Sequence, residues 1–225
     1  MKPSILAIAL GIACSAAICS PHRGALVVSD AELAGISDDD RATVEAKIKL
    51  LRTAESARTT KKAALIVGER ELQIAELVVN RDKTALDIAE LALQAAQETE
   101  NADTMLPAKK AREDAGAQLD RTVANLEYAK ASRDSLEQGV AVAEAEILVA
   151  NAQLELAKFE AATSSKEGAN ATRLAEFKSQ VAAAEADLAE VRVSAAKADA
   201  AMDAVRPEEL ATQQSETVSP ATSPR

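Results

Sequence analysis

The sequence predicts an all-α fold: an elongated antiparallel coiled-coil bundle of two to three long, alanine-rich helices with a disordered C-terminal tail. Three observations predict it. Alanine supplies about a quarter of the 225 residues, whereas aromatic residues make up only 1%. Glycine and proline are scarce, at 7 and 6 residues, which is too few for the frequent turns of a sheet protein. Apolar residues recur every seven positions over most of the chain, which is the spacing of a coiled-coil seam.

Residues 1–20 are predicted to be an export leader. Lys2 precedes an apolar run from Ile5 to Cys19, as in the charged and hydrophobic regions of a secretory signal. The segment Leu10–Cys14 resembles a bacterial lipobox, which would make Cys14 the lipidated first residue of the mature chain. Two alternatives stay open: cleavage after Ala17, which gives a soluble secreted protein, and an uncleaved anchor.

The leader also sets the expected location. If Cys14 is lipidated, the second residue of the mature chain is Ser15. An aspartate at that position would resemble an inner-membrane retention signal. We therefore expect a cell-envelope protein of the periplasm or the outer membrane, either anchored by lipid or soluble.

A linker is expected at 21–36, a helical rod at 37–206 and a disordered tail rich in Ser, Thr, Pro and Gln at 207–225. The rod is predicted to contain helices over about 38–103, 107–163 and 171–205. Two cap signatures, Ser29–Glu32 and Ser37–Asp40, precede it. The aspartates of the second signature suit the positive end of a helix dipole.

With the seam positions named a and d of a heptad abcdefg, the first helix has one clear seam. Its a row is Val44, Leu51, Leu65, Leu72, Val79, Leu86 and Leu93, interrupted by Arg58, and its d row includes Ala54, Ala75, Ala89 and Ala96. A second row, Val67, Ile74, Ile88 and Ala95, lies on another face. The second row predicts contact with more than one neighbouring helix.

The second and third helices have cleaner seams. In the second, the a row is Leu119, Leu126, Val140, Ile147, Leu154 and Ala161, with Arg133 as the exception, and the d row is Ala129, Leu136, Ala143, Ala150 and Ala157. In the third, the a row is Leu174, Val181, Leu188, Ala195 and Met202, and the d row is Phe177, Ala184, Val191, Ala198 and Val205.

The pattern breaks twice. Asn101–Pro107 is predicted to be a tight turn, because proline disfavours helix in the residue before it. Thr163–Asn170 is a second break, and the sequence leaves open whether it is a turn or a kink in one long helix. If both are turns, the helices are antiparallel, and the third is expected to lie beside residues 48–85 of the first.

The residue content excludes several kinds of chemistry. His22 is the only histidine, and both cysteines, Cys14 and Cys19, lie in the leader. We therefore expect no enzymatic activity, no metal and no cofactor. The net charge of −10 argues against nucleic acid as a partner, since phosphate binding needs clustered Lys and Arg. The expected partners are proteins bound through coiled-coil faces, a second copy of the chain included, and a membrane if Cys14 is lipidated.

Residues 117–162, with Leu119, Leu126, Val140, Ile147 and Leu154 spaced by alanines, resemble the helical hairpin of periplasmic adaptor proteins and the coil helices of outer-membrane efflux channels. The chain departs from adaptors in lacking strand-forming segments beside the hairpin and the Arg-x3-Leu-x6-Ser tip pattern. The resemblance implies an efflux or secretion accessory whose hairpin docks on a channel. In that case the candidate tip residues are Asp103, Thr104, Met105, Leu106 and Pro107. The alternative, which the sequence favours, is a structural or scaffolding protein of the envelope.

Overall fold

The computed structural model describes residues 26–29, 31, 33, 36–99, 102–164 and 171–207. This part of the chain is all-α, as predicted, with three helices: α1 (Asp38–Glu98), α2 (Ala102–Thr163) and α3 (Ala171–Ala204). Their 61, 62 and 34 residues give lengths of about 90, 90 and 50 Å at 1.5 Å per residue. The predicted leader with Cys14 and the predicted tail after Pro207 lie outside the described residues.

Helix α1 begins where the second cap signature predicts. Ser37 has extended backbone angles and accepts a hydrogen bond at Oγ from the backbone N–H of Asp40, at 3.1 Å. Its hydroxyl also donates to Asp40 Oδ2, at 2.7 Å. This is the N-cap arrangement that satisfies one of the free N–H groups of a helix start. The other signature does not start a helix at its described residues, Ser29 and Ala31, and its remaining residues 30 and 32 lie outside the described part.

Helices α1 and α2 form a long antiparallel hairpin. Polar contacts join them at levels from the open end towards the tip: Ser164 Oγ to Asp40 Oδ2 at 2.8 Å, Lys47 Nζ to Gln153 Oε1 at 3.1 Å, Lys62 Nζ to Glu144 Oε1 at 2.8 Å, and Arg112 to Glu90 at 3.4 Å. The predicted a rows of both helices are buried or half-buried between them, and the fully buried members are Val44, Val79, Val140, Leu154 and Ala161. The heptads therefore identify the seam of the hairpin correctly.

Helix α3 folds back antiparallel on the C-terminal half of α2. The rings of Phe159 and Phe177 stack with centroids 5.0 Å apart, and Glu146 Oε1 pairs with Arg192 at 2.9 Å. Further along, Ser135 donates to Asp199. Because these contacts run in opposite directions along the two helices, the break after Thr163 is a turn, and the alternative of a kink is excluded.

The predicted position of α3 is wrong. No Cα of α3 lies within 8 Å of a Cα of α1, so α3 does not run beside residues 48–85 of α1. The reason is a second apolar row on α2, at heptad positions c and f: Val142, Ala145, Val149, Ala152, Leu156 and Phe159. Leu156 and Phe159 pack with Leu174 and Phe177 of α3. In the described part of the chain the helices thus lie side by side with α2 in the middle.

Part of the predicted linker packs on this end of the rod. Val28 is 3% exposed and lies in a cluster with Phe159, Ala162 and Phe177. Its backbone N–H donates to Glu155 Oε2, at 2.8 Å. The segment that precedes α1 therefore closes over the α2–α3 contact before the chain enters α1.

At the other end, the chain reverses earlier than predicted. Helix α1 ends at Glu98, with Thr99 as its cap, and α2 begins at Ala102. Pro107 lies inside α2 and not before it. Pro107 is the sixth residue of α2 and cannot donate a hydrogen bond to the Asp103 carbonyl, but the helix continues on both sides of it.

Candidate interaction surface

The most unusual surface of the rod is an apolar row on α1 that faces away from α2. We call it the outer face, and it consists of Ile66, Val67, Ile74, Leu77, Ile88 and Leu91, which are 50%, 52%, 60%, 68%, 63% and 66% exposed. It extends for about 38 Å along the helix. Single exposed apolar side chains are common, but an aligned row of this length is typical of a binding surface.

Heptad geometry explains why this row is uncovered. Most of its residues occupy positions c and f, which lie roughly 160° around the helix from the a and d positions that contact α2. On α2 the same positions c and f hold α3. Helix α1 therefore has a second seam equivalent to the one that α2 uses, with no described helix packed against it.

The two edges of the outer face differ in charge. One edge is formed by the g row of the heptad. This row consists of Ala64, Glu71, Val78, Ala85 and Ala92, of which Glu71 alone is charged. The opposite flank of α1, the e row, carries Lys62, Glu69, Glu76, Lys83 and Glu90. Since Lys62 and Glu90 pair with α2, the charged flank belongs to the hairpin itself, and the apolar flank is the side open to a partner.

A shallow open groove continues the outer face towards α2. It is lined by Glu71, Ile74, Ala75, Val78, Thr122 and Asn125, so both helices contribute to it. Its walls are mostly apolar, with amide and hydroxyl groups at the α2 edge. Such a groove accommodates the side chains of a docked helix better than a small polar ligand.

A polar layer lies in the hairpin seam beside this groove. The Asp82 side chain is 6% exposed, and its Oδ1 accepts from Arg81, at 2.7 and 2.8 Å. That hydrogen bond holds the pKa of Asp82 below its usual value, whereas burial raises it, and Gln118 and Thr122 contribute smaller lowering. Asp82 Oδ2 is buried without a well-aligned donor, since the Thr122 hydroxyl donates to the Leu119 carbonyl at 3.0 Å.

A polar residue in an apolar seam costs stability but restricts the helices to one alignment. The Asp82 layer is therefore expected to set the register of α1 on α2 at a d position whose neighbours along α1, Ala75 and Ala89, are small. It also keeps the outer face at a defined height along the rod.

The predicted tip residues do not form the turn. Asp103, Thr104, Met105, Leu106 and Pro107 lie in the first two turns of α2, and all five are exposed, Leu106 at 75%. They are gathered at the tip end of the hairpin but do not join the outer face. The predicted lipidation site, Cys14, lies outside the described residues.

Among the described residues, no group of three or more His, Cys, Asp or Glu side chains could hold a metal ion. None of the helices in this part of the chain has a stretch long and apolar enough to cross a membrane.

Comparison with known proteins gives no assignment: no family model matches the chain, and neither does any curated protein or solved structure.

Sequence reasoning found part of the outer face and missed the rest. The c row with Val67, Ile74 and Ile88 is visible as a second heptad row. Leu77 and Leu91 were missed, although each follows a member of that row by three residues, which is the spacing from a to d in a coiled coil.

Proposed function

We propose that the chain is an exported coiled-coil protein of the bacterial cell envelope, tethered by lipid on Cys14, with a structural or scaffolding role. The outer face of α1 is the surface through which it binds another protein. This role is non-catalytic and uses no cofactor.

One observation carries the interaction part of the proposal. A two-helix hairpin needs one apolar seam on each helix, but α1 carries a second seam whose six large side chains are at least half exposed. Keeping these side chains in water has no benefit for the hairpin, and burying them against a partner recovers roughly 25 cal/mol per Å² of apolar surface. The export part rests on the leader sequence, Lys2 and the run Ile5–Cys19.

Two measurements test this proposal. The first is the intact mass of the protein from membrane and soluble fractions of a bacterial host. A mature chain that begins at Cys14 with added acyl mass is the expected result. An unprocessed mass in the soluble fraction would overturn the envelope location.

The second measurement is crosslinking in cells from a photoreactive residue at Leu77. Leu148 on α2 is a matched control, because it is 60% exposed but outside the outer face. We expect protein adducts from position 77 and few from position 148. Equal adducts from both positions, or none from either, would contradict an interaction through the outer face.

A second candidate function is docking of the hairpin tip on a channel of an efflux or secretion assembly. The observation that favours it is Leu106, a large apolar side chain 75% exposed at the end of a rod about 90 Å long. Crosslinking from position 106 is expected to recover a channel or adaptor protein. Adducts from position 77 alone would favour the scaffolding role.

A further inference from the structure

We propose that the outer face of α1 binds the same face of a second copy of this chain, with the two α1 helices antiparallel. The proposal rests on the interaction role assigned above and names the partner.

The outer face is complementary to itself under a two-fold axis. With two α1 helices antiparallel and the axis between residues 82 and 83, Ile74 lies opposite Leu91 of the second copy, and Leu77 lies opposite Ile88. Both pairs, and their symmetry mates, form at one register. A symmetric dimer needs this property, because the same patch must supply both sides of the interface.

One charge pair favours the antiparallel direction. Arg70 and Glu98 both occupy position f of the heptad. At the antiparallel register Arg70 lies one helical turn or less from Glu98 of the second copy. A parallel arrangement at matching register would instead place Arg70 beside Arg70 of the second copy, which is unfavourable.

The rest of the rod leaves room for this contact. Helix α2 covers the opposite side of α1, and α3 lies beyond α2 with no Cα within 8 Å of α1. Asp199, five residues before the end of α3 at Ala204, contacts Ser135 of α2, so α3 reaches only partway along α2. The resulting assembly is a layer in the order α2, α1, α1, α2.

The area is sufficient for a stable, if modest, dimer. From their exposed fractions, the four side chains that pair at this register, Ile74, Leu77, Ile88 and Leu91, offer on the order of 500 Å² per copy. Two copies would then bury about 1,000 Å², close to the minimum for a specific interface, before the flanking alanines are counted.

The test is sedimentation equilibrium of the full-length chain over a range of concentrations. We expect a reversible dimer, and we expect Leu77→Glu to raise the dissociation constant at least about tenfold by placing an unpaired charge in the interface. Leu148→Glu is the control of equal chemistry and should leave the dissociation constant unchanged. Both positions are exposed in the rod, and far-ultraviolet circular dichroism checks that both variants keep their helices.

The antiparallel register is tested by disulfide formation in a chain with Cys14→Ser and Cys19→Ser. Leu77→Cys mixed with Ile88→Cys should give a crosslinked pair, whereas Leu77→Cys alone should give little, because its two sulfurs would lie about 16 Å apart along the axis. Efficient crosslinking of Leu77→Cys with itself would overturn the antiparallel arrangement.

The charge pairs allow one further test. Arg70→Glu should weaken the dimer, and Arg70→Glu with Glu98→Arg should restore it, because the double change exchanges both partners of each pair. Failure of the double variant to recover would overturn the register.

The outcomes separate this inference from the proposed function. A chain that is monomeric at about 100 μM, well above the micromolar range of ordinary complexes, overturns self-association. If its position 77 still crosslinks to a different envelope protein, the proposed function stands. If the chain dimerises and the variants change the dissociation constant as expected, self-association is supported. If that chain is isolated only in unprocessed, soluble form, the envelope role is overturned.

Discussion

In the half of the rod that contains α3, helices α2 and α3 and the segment before α1 enclose an aromatic cluster, whereas between residue 70 and the tip α1 and α2 pack alone. Phe177 is 1% exposed and Phe159 is 3% exposed in the first half. In the second half the seam has leucine and valine at the a positions of α1, with alanines and Asp82 at its d positions. Further large apolar side chains lie on the outer face, which leaves them in solvent.

In the three-helix half the second apolar row of α2 is covered by another helix, whereas in the two-helix half the second apolar row of α1 is exposed to solvent. Both α1 and α2 carry a second seam at positions c and f. On α2 the chain supplies its own covering helix, and on α1 it does not. Stability is therefore expected to come mainly from the three-helix half, and binding from the two-helix half.

The largest expected effect is that of Phe177→Ala. Removing a fully buried aromatic side chain leaves a cavity and should reduce the free energy of unfolding by about 3–5 kcal/mol. Urea unfolding followed by circular dichroism measures it, with Leu148→Ala as a control on an exposed position. A loss below about 1 kcal/mol would show that the aromatic cluster is not what stabilises this half.

The next effect concerns the boundary of the two halves, at Gly68. A β-carbon there would lie 2.6 Å from Leu136 Cδ1 and 3.9 Å from the Arg133 Cα, so the helices approach closely at this point. Overpacking of about 1–3 kcal/mol then opposes a gain in helix propensity of about 1 kcal/mol. We expect Gly68→Ala to destabilise the chain in thermal unfolding, and an increase in melting temperature would refute the close approach.

Gly116→Ala should have the opposite sign. A β-carbon at position 116 would meet no atom within 4 Å, so only the propensity gain of up to about 1 kcal/mol remains. Comparing the two variants separates helix propensity from packing in the same thermal unfolding experiment. If Gly116→Ala destabilises the chain, then the two-helix half is packed more tightly there than the structure indicates.

The smallest expected effect is one of pH. The pKa of Asp82 is lowered mainly by its hydrogen bond from Arg81, so its contribution is complete above the usual aspartate pKa of about 3.9 and is lost as the pH falls through the folded value. The effect is small because Arg81 is 68% exposed and screened by water. Asp82→Asn should therefore flatten the loss of stability between pH 5 and pH 3, by roughly the scale of one weak ion pair or less.

Asp40 is the comparison for that experiment. Hydrogen bonds from Ser37 and then Ser164 lower its pKa, and it lies at the start of α1 in the three-helix half. Asp40→Asn should flatten the acid dependence in the same direction. Amide hydrogen exchange at pH 4 would show which half of the rod loses stability in each variant. A change in protection only in the half that does not contain the substituted residue would contradict the assignment.

The fold was largely predictable because heptads report which side of a helix is buried. The a rows of α1 and α2, from Val44 to Leu93 and from Leu119 to Ala161, lie in the seam where the sequence places them. The cap at Ser37 was equally predictable, because its side chain accepts a hydrogen bond from a backbone N–H only three residues away. Local chemistry and helical periodicity are both encoded in short stretches of sequence.

The choice of partner was not predictable in the same way. A heptad shows that a face is apolar but not which helix covers it, so α3 was expected beside α1 and lies instead on the c and f row of α2. The turn near the tip was misplaced because Pro107 was taken as a helix start, and it is tolerated inside α2. Val28 was missed because the short apolar run Leu26–Val28 has no helical periodicity to show which of its residues is buried.

The arrangement with α2 in the middle has a consequence for how the rod assembles. In the described part of the chain each helix contacts only the helix next to it in sequence. Folding can therefore proceed as two helix pairs, each of which forms from its connection outwards. The contact of Val28 with Glu155 closes a loop of 127 residues and carries the largest closure entropy, so it is expected to form last. A pulling force applied before residue 26 would act first on the contact between Val28 and Glu155. The α1–α2 hairpin would remain closed while that contact opens.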